Sequence, residues 1–420
     1  MLKASTSAMS TPSPTESEHA SVAPSSIRAG TIGAIIAILL VAMNLRATLT
    51  GVGVLLPAIE QDTGLTSAWG GALTTLPLVM FAVTSPFVVR MSNRLGTTRL
   101  MVVALAVLAL GTVVRSVPSL ASLFIGTIIL SAAIAVGNVL LPSVVRQHVP
   151  ASHVHIVSSI YVTVMALIAG VSSGISVPLA NALPGGWRAA LAWGIVLTIP
   201  ALVVWLLRLR RDSFVAPARS DAKPSPVRMP WKSALAWQVS LYMGLQSLVF
   251  YTIIAWLPSI LIGTGMTASQ SGWMLFFFQG MGILSSLSLP IITRGRQDQR
   301  YVAAIVSVFV AAGFLVLLIP GQGILACMLL GLGSGGALAL AMSFQSQRAG
   351  GYVEAAALAG MAQTIGYLVA ATGPLLLGVL HTATGAWTSA LFILSALSIL
   401  MAVAGYQAGR DRRIPHSAFD

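Results

Sequence analysis

Twelve apolar runs, each long enough to cross a bilayer, leave this 420-residue chain little freedom in what it can become. A hydrocarbon core about 30 Å thick needs roughly 20 apolar residues per helix, and in lipid every backbone polar group must be satisfied within the protein. The runs lie at 30–57, 68–89, 99–116, 119–145, 156–180, 188–208, 236–262, 269–292, 301–319, 322–345, 354–380 and 386–408. They predict an all-α polytopic membrane protein with twelve transmembrane helices. Composition agrees, with 56% hydrophobic and 8% charged residues, against about 25% charged in a soluble domain. A soluble globular fold is excluded, and so is a membrane barrel, whose strands alternate apolar and polar residues.

The cations set the expected orientation. With the N-terminus in the cytoplasm, twenty of the 23 Lys and Arg fall in cytoplasmic segments. Arg115 and Arg188 fall in outer loops, and Arg46 lies inside span 1. This positive-inside bias predicts both termini in the cytoplasm. The net charge of +13 then belongs to loops; no basic stripe interleaves with aromatics, so no nucleic-acid partner is expected. Residues 1–27 are Ser/Thr/Pro-rich and predict a disordered cytoplasmic tail. A charged linker at 211–232 separates six-helix halves at 28–210 and 233–409, and 410–420 forms a second cytoplasmic tail.

The halves echo each other at an offset of about 200 residues. Pro57 matches Pro258; Pro86 and Arg90 match Pro290 and Arg294; GGWRAAL at 185–191 resembles GAWTSAL at 385–391. Parallel six-helix repeats describe the major facilitator architecture, with substrate near the midplane between the halves. Loop 89–99, VRMSNRLGTTR, resembles that superfamily's loop between helices 2 and 3, G-x-x-x-D-R-x-G-R-R. Arg94 and Gly96 match, whereas Asn93 replaces the Asp and Val89 the first Gly. With Arg90 and Arg99, these residues (Val89 apart) form the expected gating loop of the cytoplasmic side.

A finer resemblance covers residues 35–410. MNLRATLTGVGVLLPAI (43–59), LTTLPL (73–78) and GNVLLPSVVR (137–146) look like the bacterial cyanate/2-nitroimidazole transporter family. LAWQVSLYMGLQSLVFYTIIAWLPSIL (235–261) and AGMAQTIGYLVAATGP (359–374) are closer to its 2-nitroimidazole exporter branch. The resemblance implies a secondary transporter in the bacterial plasma membrane, exporting 2-nitroimidazole-like compounds or, alternatively, importing cyanate or another small anion. A sensor or scaffold of carrier fold is the alternative of another class.

Arg46 is the sharpest chemical feature. A charge at mid-membrane is costly unless partnered, and no Asp or Glu lies within a span core; Glu354 is nearest, at the cytoplasmic end of span 11. The guanidinium suits an anion or a nitro group, which it can hold through two parallel hydrogen bonds. Backbone carbonyls and amides could instead satisfy it. Gln246 and Tyr251 in span 7, Gln279 in span 8, and Gln363 and Tyr367 on one face of span 11 are the other candidate substrate ligands. Gln246 is expected to approach Arg46 across the cavity. Asn44 and Asn138 read as structural, Trp205, Trp231 and Trp273 as interface anchors, and the glycines of 331–336 and 170–174 as helix-packing sites.

No cofactor, metal or enzymatic activity is expected. Cys327 is the one cysteine, in an apolar run, and His19, His148, His153, His155, His381 and His416 fall in loops, tails or span ends. Facilitated diffusion, exchange and proton carriage by the substrate all remain open as coupling modes. A monomer is expected, each half supplying the other's partner surface.

Overall fold

The computed structural model describes residues 29–212 and 229–419. The 1–27 tail, and residues 213–228 of the linker, lie outside the described residues. Among the described residues thirteen α-helices form the bundle: α1 (Ala29–Thr63), α2 (Ser67–Leu95), α3 (Thr97–Ser116), α4 (Leu120–His148), α5 (Val154–Ala182), α6 (Trp187–Ala192), α7 (Ile195–Asp212), α8 (Ala234–Gly263), α9 (Ala268–Ile292), α10 (Arg300–Val316), α11 (Gly323–Gln347), α12 (Tyr352–Thr384) and α13 (Thr388–Ala408). The sixth expected span is split into α6 and α7 at Trp193 and Gly194. Counting these two as one, eleven helices among the described residues are long and apolar enough to cross a membrane. The ninth span, α10, has 17 residues, about 25 Å of helix, and ends short of the expected 319 as the chain turns through Gly321 at φ 77°.

Prolines sit inside these helices. Pro57 does not end α1, which continues to Thr63, and Pro258 lies within α8. Neighbouring helices can satisfy the backbone groups a proline frees, which is why membrane bundles tolerate it. The glycine runs serve close packing, as expected. A Cβ on Gly335 would lie 2.1 Å from the Gly282 carbonyl oxygen of α9, and one on Gly333 2.6 Å from the Val306 carbonyl oxygen of α10. Cys327 is fully buried on α11.

The first six spans meet the last six through α2 on α12, α5 on α9 and α1 on α8. Six glycines mark these approaches: Gly53 against Ile254, Gly71 against Pro374, Gly170 against Phe276, Gly174 against Trp273, Gly272 against Ser173, and Gly378 against Ser67. All lie toward the ends of the helices that carry the 63–67, 182–187, 263–268 and 384–388 turns. Polar links reinforce that end. The Ala68 N–H donates to Thr382 Oγ1 at 3.0 Å, and Thr75 Oγ1 donates to the Ala371 carbonyl at 3.1 Å.

One residue expected at the lipid interface is instead a core pin. Trp205 is 1% exposed and donates its indole N–H to the Ala37 carbonyl at 3.1 Å, so it fastens α7 to α1 and does not anchor the lipid interface. Trp231 and Trp273 are exposed, as an interface role requires. Asn44 is structural: its Nδ2 donates to Leu40 and Leu197 carbonyls, and its Oδ1 accepts from Thr198 Oγ1 at 2.6 Å.

At the opposite end Arg348 ties together the helices of the second six-span group. It is fully buried after α11, and its Nε donates to the Ala408 carbonyl while Nη2 donates to those of Gln297 and Gly409. Burial pushes its pKa below the usual arginine value, yet guanidinium remains charged at any physiological pH. Its own carbonyl accepts from the Ile414 N–H at 2.8 Å, which folds residues 410–419 back onto the helices; Ile414 and Phe419 are buried there, and His416 meets Glu354 of α12. Hydrogen bonds to a charged group contribute roughly 1.5–3 kcal/mol each. Arg348→Ala is therefore expected to destabilise the purified protein by at least about 3 kcal/mol, read as a lowered midpoint of thermal unfolding in detergent; an unchanged midpoint would refute the clamp.

Candidate functional site

Halfway along α1, Leu49, Thr50 and Gly53 follow Arg46 by three, four and seven residues and so share its face. That face lines a small cavity. Leu73, Thr74, Pro77 and Leu78 of α2 complete the wall, with Arg115 of α3, Thr127 of α4, and Tyr251, Ile254 and Ala255 of α8. The cavity thus lies where α1 and α2 meet α8, beside the approach of Gly53 to the Ile254 carbonyl. No Asp, Glu or His lines it.

Arg46 is partly buried, and its guanidinium carbon sits 5.6 Å from the centroid of the Phe250 ring and 5.7 Å from that of Tyr251. Ring faces attract a cation electrostatically and more strongly where water is excluded. Among the described residues Arg46 forms no ion pair, and no side-chain hydrogen bond joins it to Gln246. Aromatic rings thus stand where an amide was expected. Its donors keep their capacity for a ligand.

Of the other predicted site residues, Tyr251 lines the cavity. Tyr367 of α12 lies within electrostatic reach of both Tyr251 and Arg46, and its ring packs edge-on against Phe81 at 6.2 Å. These three side chains come from both six-helix groups. Gln246 is 2% exposed and its Oε1 accepts from Ser247 Oγ. Gln279 is buried on α9 with an unpartnered Nε2. Gln363 is partly buried, one turn from Tyr367. None of the three glutamines lines the cavity.

The expected gating loop forms the junction of α2 and α3. Gly96 adopts φ 84°, a conformation that strains side-chain-bearing residues, and its N–H donates to the Ser92 carbonyl at 2.8 Å. Arg90, Asn93, Arg94 and Arg99 are exposed, and none of the arginines forms an ion pair among the described residues.

Arg115 is the residue the sequence reading misplaced. It does not sit in an outer loop but in the last turn of α3, 1% exposed. Helical side chains lean toward the helix N-terminus, so this one folds back into the bundle. Nη1 donates to the Thr48 carbonyl at 2.9 Å and Nη2 to the Leu191 carbonyl at 3.0 Å, while Nε has no partner. The Leu191 carbonyl is free for this because α6 stops at Ala192. The other outer-loop arginine, Arg188, does lie at a helix end, paired with Asp62 at 2.8 Å and over the Trp187 ring.

The fold and the buried, acid-free cavity define a multi-pass membrane carrier. Residues 34–371 match the model of the Major Facilitator Superfamily. The chain is 40% identical over 379 residues to the 2-nitroimidazole transporter of Escherichia coli (strain K12), covering 90% of this chain and 95% of that one. It is 26% identical over 354 residues to the cyanate transport protein of the same organism, covering 84% and 90%. Among solved structures, a D-xylose-proton symporter superposes with a TM-score of 0.69 at 14% identity, over 91% of this chain and 99% of that one. The chain belongs to the Major Facilitator Superfamily and, within it, to the cyanate/2-nitroimidazole transporter family. It is a secondary transporter.

Gly53 offers a test of the cavity's place in that activity. A Cβ there would lie 2.2 Å from the Ile254 carbonyl oxygen, a backbone atom that cannot move alone. Gly53→Val is expected to insert normally and to lose at least about tenfold in transport, because α1 and α8 can no longer close on each other. Wild-type flux with normal expression would show that this approach is dispensable.

Proposed function

We propose that the protein exports 2-nitroimidazole-like compounds across the bacterial plasma membrane by alternating access, with both termini in the cytoplasm. Arg46 holds the substrate's electron-rich group, Tyr251 and Tyr367 flank it, and Gln246, Gln279 and Gln363 serve further along its path. The observation that carries this reading is Arg46 itself: a cation midway along a spanning helix, facing aromatic rings and no carboxylate, on the wall of a cavity between the two six-helix groups. The 40% identity to a 2-nitroimidazole transporter supports the substrate class. The exporter-like segments 235–261 and 359–374 support the direction. With the N-terminus in the cytoplasm, the glycine approaches between the two groups fall toward the outer ends of their helices, which supports a carrier that receives its cargo from inside. The cytoplasmic gate, with Asn93 in place of a carboxylate and arginines in no ion pair among the described residues, closes by packing. The unit is a monomer.

The second reading, import of cyanate or another small anion, draws on the same acid-free cavity and on the weaker identity to a cyanate transport protein. Accumulation of radiolabelled 2-nitroimidazole and of cyanate in cells with and without the protein separates the two. Export lowers nitroimidazole accumulation on expression; raised cyanate entry with no nitroimidazole effect would reverse the assignment. Arg46→Gln is expected to insert normally and lose at least about tenfold in flux, with only partial rescue by Arg46→Lys, which lacks the planar fork. Wild-type flux in Arg46→Gln would remove Arg46 from the site.

A further inference from the structure

The cavity wall includes a second arginine that the reading above does not use. Arg115 shares its wall with Arg46, and no carboxylate or histidine shares it with them. A guanidinium only 1% exposed is expensive unless its charge is compensated. Here two neutral carbonyls take Nη1 and Nη2, and Nε is left without a partner. Two like charges beside one low-dielectric cavity also repel each other. One ligand relieves both costs: a small anion in the cavity. The aromatic flank at Tyr251 adds a preference for a flat, delocalised one, since a planar guanidinium and ring faces both favour planar partners.

We propose that Arg115 is a second specificity-determining cation, and that with Arg46 it restricts the cavity to substrates in their anionic form. This rests on the transport reading above and narrows its substrate class. A 2-nitroimidazole has a ring N–H acidified by the nitro group. Its conjugate base is planar and spreads its charge over ring nitrogens and nitro oxygens. The protein takes up this anion, and the ring proton passes to water on the side from which the substrate enters. A nitroimidazolate and cyanate then satisfy one rule of charge, which a neutral nitro compound of the same shape does not.

The test compares 2-nitroimidazole with 1-methyl-2-nitroimidazole, which cannot lose a ring proton, as ligands of the purified full-length protein. Wild-type protein is expected to bind the ionisable compound at least about tenfold more tightly, the size of effect a charge-assisted pair supplies. Its affinity for that compound should rise with pH through the probe's own ionisation, while any affinity for the methyl compound stays flat. Arg115→Gln should collapse the discrimination to below about threefold, and Arg115→Lys, which keeps the charge, should restore most of it. A merely structural Arg115 would change thermal stability in Arg115→Gln without changing that ratio. Equal wild-type affinity for the two compounds would overturn this inference alone. Binding of neither compound would overturn the nitroimidazole reading and this inference with it. Both of these arms need no variant, so a poorly folding Arg115→Gln leaves the proposal exposed to refutation.

Discussion

A positive charge inside an apolar bundle must find oxygen atoms or π-electrons, because burying it alone costs several kcal/mol. Three buried or half-buried arginines meet this constraint in different ways, and much of the architecture follows from them. Arg348 is met by three carbonyls at the ends of neighbouring segments, and so fixes one face of the bundle. Arg115 takes two carbonyls, one of them released by the break between α6 and α7. Arg46 takes none through its side chain and faces rings instead. The first two each leave one buried nitrogen without a partner, Nη1 of Arg348 and Nε of Arg115, and the third is open. Arg46 and Arg115 line the cavity and Arg348 does not, which separates site from scaffold without reference to any ligand.

The glycines supply the complementary constraint. Helices in lipid gain little from apolar contact with each other, since the solvent is equally apolar, so close backbone approach through small residues holds them. Within each group, as at Gly335 on Gly282, those approaches are permanent joints. Between the groups they cluster toward one face, where carbonyls of Ser67, Ser173, Ile254 and Pro374 and the rings of Phe276 and Trp273 meet glycines. Where the contact is backbone on glycine, there is no interlocking side chain to extract. Two halves that part and rejoin in each transport cycle are well served by such contacts.

The spans were legible because length and hydropathy are set by the bilayer, whatever the helices pack against. Arg46 was legible for the same reason: a charge stands out against an apolar run. Arg115 was not, because counting cations by loop treats a last-turn residue as lying outside, whereas its side chain leans backward along the helix. Applying that rule to VVRS at 113–116 would have brought it into the membrane. Trp205 failed in the same way, as position near a span end says nothing about which face carries the ring. The sequence also placed Gln246 opposite Arg46, yet the rings one turn on, Phe250 and Tyr251, occupy that place. A helical wheel built from one chain lacks the rotation of α8, and packing alone sets it.

The return of residues 410–419 onto the helices bears on how the protein is made. Ile414 binds the carbonyl of Arg348, and His416 reaches Glu354 at the start of α12. The segment can dock only when α11, α12 and α13 are all in place, and it leaves the ribosome after every one of them. Its docking therefore depends on the correct insertion of these three helices. A polar substitution at the buried Ile414 or Phe419 would act on assembly rather than on the transport site.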